Sequence, residues 1–238
     1  MKRSDFHINC DLGEGSKNEA DLMNHIQACN IACGGHYGTS DSIYETLSKA
    51  VDLNLEVGAH PSYPDLENFG RVSMDLNKED FLSTIRSQLD RYFNQLSKFK
   101  TENNHIKAHG ALYNDLCRDT ELVQWFLEAL KDYSFKSIYT PFNGSMASQA
   151  QLMNLPLSYE AFIDRNYTPE GWLVSRALPK AEKDSLASVY KQLESIVLTK
   201  KVECSNGEHI PMIASTFCIH GDHPEALARL KYIEQQLR

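Results

Sequence analysis

Four histidines stand at matching places in this chain, each just past a short apolar run. His36 follows Cys29–Cys33, His60 follows Leu55–Ala59, His109 follows His105–Ala108 and His220 follows Ile213–Ile219. Acids and a lysine accompany them. Asp11 and Glu14 lie in Asn9-Cys10-Asp11-Leu12-Gly13-Glu14-Gly15, Lys107 precedes His109, and Asp222 follows His220. Imidazole, carboxylate and ammonium together suit proton transfer at a carbonyl or amide, where one group removes a proton and another delivers it. The same groups suit a metal hydrolase, with His and Asp from different strands around a divalent ion. The residues leave both chemistries open. A single histidine at a strand end is more often a structural hydrogen-bonder, and Asp11 or Glu14 could cap a helix. The recurrence on several strands is what points to a site.

Arginines add a third function. Arg71 sits in Asn68-Phe69-Gly70-Arg71, Arg165 follows the sixth apolar run, and Arg176 lies in the loop after it. A guanidinium matches a carboxylate with two parallel hydrogen bonds, so any of these can clamp an acid. Tyr113, in His109-Gly110-Ala111-Leu112-Tyr113-Asn114, can hydrogen-bond a substrate or pack.

Groups this far apart in sequence meet only if the underlying elements bring them together. Short β-type runs alternate with helical ones. The strands are expected at Phe6–Cys10, Cys29–Cys33, Leu55–Ala59, His105–Ala108, Lys136–Thr140, Leu157–Phe162 and Ile213–Ile219. Helices are expected over Glu19–Ala28, from Thr39 or Ser40 to Leu53, from Asn77 to Phe99, after Asp119, over Gly144–Met153, over Lys183–Leu198 and after Pro224. The third carries the stripe Phe81, Ile85, Leu89, Phe93 and Leu96. Ser205-Asn206-Gly207-Glu208 suggests a small hairpin. Such alternation implies a parallel sheet with crossover helices. A doubly wound sheet would leave some of the polar strand ends far apart. A barrel gathers them on one face, so a barrel is expected. His25, His105 and His209 fall outside the pattern and read as surface or structural residues, and His7 takes no role.

Composition narrows the partners. The chain has 238 residues, 42% of them hydrophobic, enough for one domain spanning 1–238. Its net charge is −8, from 24 Lys+Arg against 32 Asp+Glu, and it has no basic run. Nucleic acid and acidic membranes are therefore excluded as partners. No apolar stretch is long enough to span a bilayer, and the N-terminus lacks a signal-peptide core. The six cysteines form no C-x-x-C and read as reduced core residues, which places the protein in the cytoplasm. No phosphate loop, dinucleotide fingerprint, H-E-x-x-H or G-x-S-x-G is present.

Seven segments, in order from residue 8 to about 223, resemble the motifs of the LamB/YcsF family. They are Asn9-Cys10-Asp11-Leu12-Gly13-Glu14, Asn30-Ile31-Ala32-Cys33-Gly34-Gly35-His36, Gly58-Ala59-His60-Pro61-Ser62-Tyr63-Pro64-Asp65, Phe69-Gly70-Arg71, Lys107-Ala108-His109-Gly110-Ala111-Leu112-Tyr113-Asn114, Asp164-Arg165-Asn166-Tyr167 and His220-Gly221-Asp222. Two segments depart from the family pattern. Gly35-His36-Tyr37-Gly38-Thr39 stands where Phe-His-Ala-Gly-Asp is usual, and Lys107-Ala108-His109-Gly110 where Lys-Pro-His-Gly is usual. The resemblance implies a seven-stranded, TIM-like (β/α) barrel related to the glycoside hydrolase/deacetylase superfamily. It implies the opening of 5-oxo-L-proline to L-glutamate with ATP as co-substrate, together with partner subunits B and C. With the strand-end pattern, it assigns Asp11, Glu14, His36, His60, Lys107 and His109 to catalysis. Asn9, Arg71, Tyr113, Arg165, His220 and Asp222 are assigned to substrate binding. A divalent metal stays open. The alternatives are a metal-dependent amide or sugar deacetylase and a non-catalytic lactam-binding subunit.

Overall fold

The computed structural model describes residues 1–237. Among them are nine strands: β1 (Ile8–Leu12), β2 (Ala28–Ala32), β3 (Glu56–His60), β4 (His105–Ile106), β5 (Ser137–Thr140), β6 (Leu157–Phe162), β7 (Lys201–Glu203), β8 (His209–Pro211) and β9 (Thr216–His220). The first six and β9 are parallel and close on themselves. β9 pairs with β6 on one side and with β1 on the other, which completes the ring. The barrel expected from the polar strand ends is therefore the one formed, and no strand of the ring keeps an open edge. The remaining two, β7 and β8, make the small antiparallel hairpin.

Eight α-helices surround the ring: α1 (Glu19–Leu22), α2 (Ser40–Asp52), α3 (Lys78–Leu96), α4 (Gly110–Asp115), α5 (Thr120–Ala129), α6 (Ser145–Leu152), α7 (Leu186–Thr199) and α8 (Ala226–Gln236). Side-chain caps start four of them. Thr39, Asn77, Asp119 and Ser185 each accept a backbone N–H of the first turn. The apolar faces then dock on the sheet. Ile43, Leu47 and Ala50 of α2 are fully buried, as are Phe81, Ile85 and Leu89 of α3. Each large apolar side chain so buried contributes about 1.5–3 kcal/mol.

Boundaries differ from the sequence reading in ways that matter for the site. β1, β3 and β9 end later than expected, so Asp11, His60 and His220 are strand residues held by ladder hydrogen bonds rather than loop residues. α1 stops at Leu22 and gives way to a 3-10 turn, Met23–His25, because Ala28 already pairs with Asn9 and Glu56. α8 starts at Ala226, just past Pro224. α4 is absent from the sequence expectation, since six residues are too short for a helical period to register. All six cysteines are free and buried. Among the described residues, no helix is long and apolar enough to cross a membrane.

The barrel interior is unusually polar. Such interiors are normally filled by branched apolar residues. Here Asn9, Asn30, His105, Lys107, Glu160 and Thr216 are buried in it. His105 lies flat against Tyr139, with ring centroids 3.9 Å apart, and packs on Gly58. A Cβ at Gly58 would lie 2.3 Å from that ring, so only glycine fits there. His105 is thus a structural residue, as expected, but at the barrel's centre and not its surface.

Candidate active site

Lys107 is the pivot. It leaves the end of β4 and crosses the barrel. Its Nζ lies 2.8 Å from Asp11 Oδ1 on β1, 3.1 Å from Glu160 Oε1 on β6 and 3.1 Å from Cys218 Sγ on β9. Burial alone would strip its proton. Asp11, Cys218 and Glu160 outweigh that and hold its pKa well above the usual lysine value. Burial would likewise raise the Asp11 carboxyl, but Lys107 and His60 together keep it well below the usual range. Both groups are therefore charged at neutral pH.

A layer of amides and imidazole fixes Asp11 from below. Asn30 Nδ2 donates to Asp11 Oδ1 and to Asn9 Oδ1, each at 2.7 Å. Its own Oδ1 accepts from His105 Nε2 at 2.6 Å. Asn9 Nδ2 donates to Thr216 Oγ1 at 2.8 Å. Every member's orientation is set by the next, so the carboxylate cannot swing without breaking the chain of bonds.

Three histidines form the next layer. His60 Nδ1 donates to the Lys107 carbonyl at 2.8 Å, and His109 Nε2 donates to the Phe69 carbonyl at 3.0 Å. Their other nitrogens, His60 Nε2 and His109 Nδ1, face each other at 3.0 Å. His36 stacks on His109 with centroids 3.6 Å apart and contacts Glu14 Oε1 through Nε2 at 2.9 Å. Burial, with repulsion from His36 and His60, pushes the His109 pKa well below 6.5, and burial lowers that of His36. Phe69 adopts a left-handed backbone with φ of 57°, a costly conformation for a non-glycine residue. The carbonyl it offers His109 is what that conformation supplies.

Opposite stands a second imidazole with a different partner. His220 Nδ1 and backbone N–H both donate to the Asp164 carboxylate, each nitrogen within 2.9 Å of Oδ2. Burial would raise the Asp164 pKa, but His220 outweighs it and holds the group far below the normal carboxylate range. A folded-state pKa below the unfolded value of about 3.9 adds stability at pH above about 4, and that stability is lost as pH falls further. We therefore expect the wild-type unfolding free energy to drop between about pH 5 and pH 2, and Asp164→Asn to flatten part of that drop. Urea denaturation across this range checks it, and an unchanged acid slope in the variant would refute the assignment.

These groups open into one cavity of about 430 Å3, within the usual range for small-molecule sites. Of the residues assigned from sequence, Asp11, Glu14, His60, Lys107, His109, Arg71, Tyr113, Arg165 and His220 line it. Three do not. Asn9 is buried beneath the floor with its amide fully engaged. His36 stands behind His109, and Asp222 pairs with Arg71 at the rim. Arg165 is anchored by donation to the carbonyls of Val174 and Ala181, and Arg176 joins Glu182 at 3.0 Å. The Tyr113 hydroxyl is buried, and burial together with the nearby Glu160 carboxylate pushes its pKa up, so it stays protonated as a donor. Gly110 begins α4 with φ of 58° and lies against Gly70, where a Cβ would meet the Gly70 carbonyl oxygen at 2.4 Å. That close approach ties the Arg71 loop to the Tyr113 helix.

Sequence reasoning missed Glu160 and gave Asp164 no role of its own. Glu160 could have been found: it is an acid inside an apolar run, Tyr159-Glu160-Ala161-Phe162, where a buried strand expects none. Asp164 was visible as a polar residue at the end of the sixth strand, but its partner, 56 positions away, was not.

Two groups bring potential metal-ligand atoms within 4.8 Å of one another: Asp11, His60 and His109, all buried, and Glu14, His36 and His109, of which Glu14 is half-buried.

The sequence model of the LamB/YcsF family matches residues 6–238. The chain belongs to the LamB/YcsF family. Within it, a protein of Thermococcus sibiricus, named as the A subunit of 5-oxoprolinase, is 37% identical over 236 residues, covering 97% of this chain and 92% of that one. A protein of the same name from Pyrococcus abyssi is 35% identical with the same coverage. A crystal structure of a lactam utilization protein from Thermus thermophilus superposes with a TM-score of 0.88 at 28% identity, over 99% of this chain and 95% of that one. The barrel of this chain is thus shared with that structure over nearly the whole of both chains.

Proposed function

We propose that this chain is the A component of an ATP-dependent 5-oxoprolinase and that its cavity opens the lactam of 5-oxo-L-proline. The observation that carries the reading is the cavity itself. A buried Lys107–Asp11 pair lies at its floor, His220, held by the buried Asp164, in its wall, and Arg71, Arg165 and Arg176 also line it. The names of the Thermococcus and Pyrococcus relatives support the same substrate.

A five-membered lactam is a stable amide with three features to manage: a carbonyl, a ring nitrogen and an α-carboxylate. Arg71 and Arg165 suit the carboxylate, because both residues line the same cavity. Transfer of the ATP γ-phosphoryl group to the amide oxygen makes the carbonyl carbon electrophilic. Water adds there, the C–N bond breaks as the nitrogen takes up a proton, and a second water frees phosphate from the resulting acyl phosphate. Products are glutamate, ADP and phosphate. His220 is the base: Asp164 accepts from Nδ1 and orients the ring, which leaves Nε2 to take up a proton. Tyr113 donates to the substrate, and Lys107 stabilises negative charge developing on oxygen. Asn9, His36 and Asp222 act by positioning Asp11, His109 and Arg71. The chain carries no phosphate loop, so ATP is bound with partner subunits B and C, in the cytoplasm.

A second reading, a metal-dependent amide or sugar deacetylase, is favoured by the grouping of Asp11, His60 and His109. Reconstitution separates the two. The chain alone should release no glutamate from 5-oxoproline, and addition of subunits B and C with ATP should start release. Absence of glutamate from the full mixture would sink the lactam reading.

A further inference from the structure

The cavity carries more positive charge than a lactam needs. Its lining includes Arg71, Lys107, Arg118, Arg165 and Arg176, in a chain whose net charge is −8. Several of these cations have acids of their own. Lys107 lies between Asp11 and Glu160. Arg71 and Arg176 share Asp222, and Arg176 is also 3.0 Å from Glu182. The other guanidinium groups, those of Arg165 and Arg118, make no salt bridge among the described residues. Arg165 is buried and hydrogen-bonds the carbonyls of Val174 and Ala181. Arg118, just past α4, lies over the Trp172 ring, 5.4 Å from its centroid. The acids near it in sequence are engaged elsewhere: Asp115 accepts from the Tyr63 hydroxyl at 2.9 Å, and Asp119 from the first turn of α5. The α-carboxylate of a lactam brings a single negative charge, which Arg165 can take. Arg118 is left over.

We propose that Arg118, with Arg176, forms a phosphoryl subsite in this cavity, on the solvent side of the lactam position. A phosphoryl group carries about −1.5 to −2 charge at pH 7 and presents three acceptor oxygens. Guanidinium matches such oxygens with two parallel hydrogen bonds. Stacking on Trp172 fixes the plane of Arg118 and leaves the donor edge of its fork free. Arg176, later in the same loop as Trp172, brings a second cation to the cavity, and Ser73 and Ser175 bring hydroxyl donors. Burial and, after it, repulsion from Arg176 lower the Arg165 pKa, so these two guanidinium groups lie close enough to share an anion's field. Size agrees. The cavity of about 430 Å3 is of the class that encloses drug-sized ligands, and a five-membered ring with one carboxylate fills only part of it. A phosphate loop is not required, because the nucleotide itself stays outside this subsite. That the phosphoryl group is carried on the lactam oxygen rests on the lactam reading; the anion site itself does not.

Inorganic phosphate is the probe, titrated into the full-length chain at fixed ionic strength and followed by calorimetry. The chain alone should bind one equivalent. Arg118→Gln should weaken binding by about 10–100-fold, the usual worth of hydrogen bonds to a charged group. Arg118→Lys should weaken it less, because the ammonium keeps the charge and loses only the fork. Arg118 is exposed, so both variants should fold. Lys136→Gln removes an exposed charge just before β5, at the opposite end of the barrel, and should leave binding unchanged. ADP and ATP test the source of the phosphoryl group, and each should compete no more tightly than phosphate. A nucleotide held far more tightly than phosphate overturns the proposal. So does absence of phosphate binding by the wild-type chain, undiminished binding by Arg118→Gln, or an equal loss in Lys136→Gln. The measurement uses neither partner subunits nor lactam. Failure here with glutamate released in reconstitution removes only the phosphoryl subsite. Phosphate bound with no glutamate released removes only the lactam reading.

Discussion

Lys107→Met should lower the unfolding free energy by about 3–5 kcal/mol, the cost of leaving buried charge without its partner. The reason is geometric. One ammonium neutralises Asp11 at 2.8 Å and Glu160 at 3.1 Å, all three side chains being almost fully buried. Methionine keeps the length of the side chain and removes the charge, so packing changes little and electrostatics change greatly. Against a total stability of roughly 5–15 kcal/mol, the loss is large, and the melting temperature should fall by roughly 6–20 °C. Turnover should vanish as well, since the cation is part of the cavity floor. Adding Glu160→Gln to Lys107→Met should recover part of the stability, because it removes one of the stranded carboxylates. Denaturant titration of the two single variants and the double variant gives the coupling directly. An additive cycle would show that the two residues do not share charge.

His220→Gln should lower kcat of the reconstituted complex by about 10²–10⁴-fold, the usual worth of a general base. The fold should survive, because the ring sits at the cavity wall and not in the apolar core. Asp164→Asn should give a smaller loss in the same direction, since it disturbs the tautomer of a base that remains present. Residues acting as a unit are not additive. The double variant should therefore be about as slow as His220→Gln alone. A double variant slowed by the product of the two single effects would separate Asp164 from His220. Steady-state kinetics of glutamate release, with KM followed alongside kcat, makes the distinction.

Much of the architecture was legible in sequence. Alternation of short apolar runs with amphipathic helices implied a parallel sheet, and the polar residues at the run ends favoured a closed ring over an open one. These are local signals, carried by periods of two and 3.6 residues and by caps such as Asn77 and Asp119. The histidines, Asp11, Lys107 and the arginines stood out because such types are rare at the ends of apolar strands. α4 escaped notice for the opposite reason: six residues hold too little of a period to be seen.

What the four strand-end histidines do apart from one another was decided only by the fold. In sequence they were equivalent. In space His220 leans on a carboxylate, His60 and His109 face each other with backbone carbonyls behind them, and His36 backs His109. Likewise Asn9 and Asp11, two positions apart, differ in that one is sealed under the floor and the other lines the cavity. Residue type and spacing determined that a site exists and on which face of the barrel. Which atom carries a proton, and which is left as a lone pair, depends on partners as far apart in sequence as Asn9 and Thr216, 207 positions. Only ring closure brings those partners within hydrogen-bond reach, so that part of the chemistry belongs to the tertiary structure.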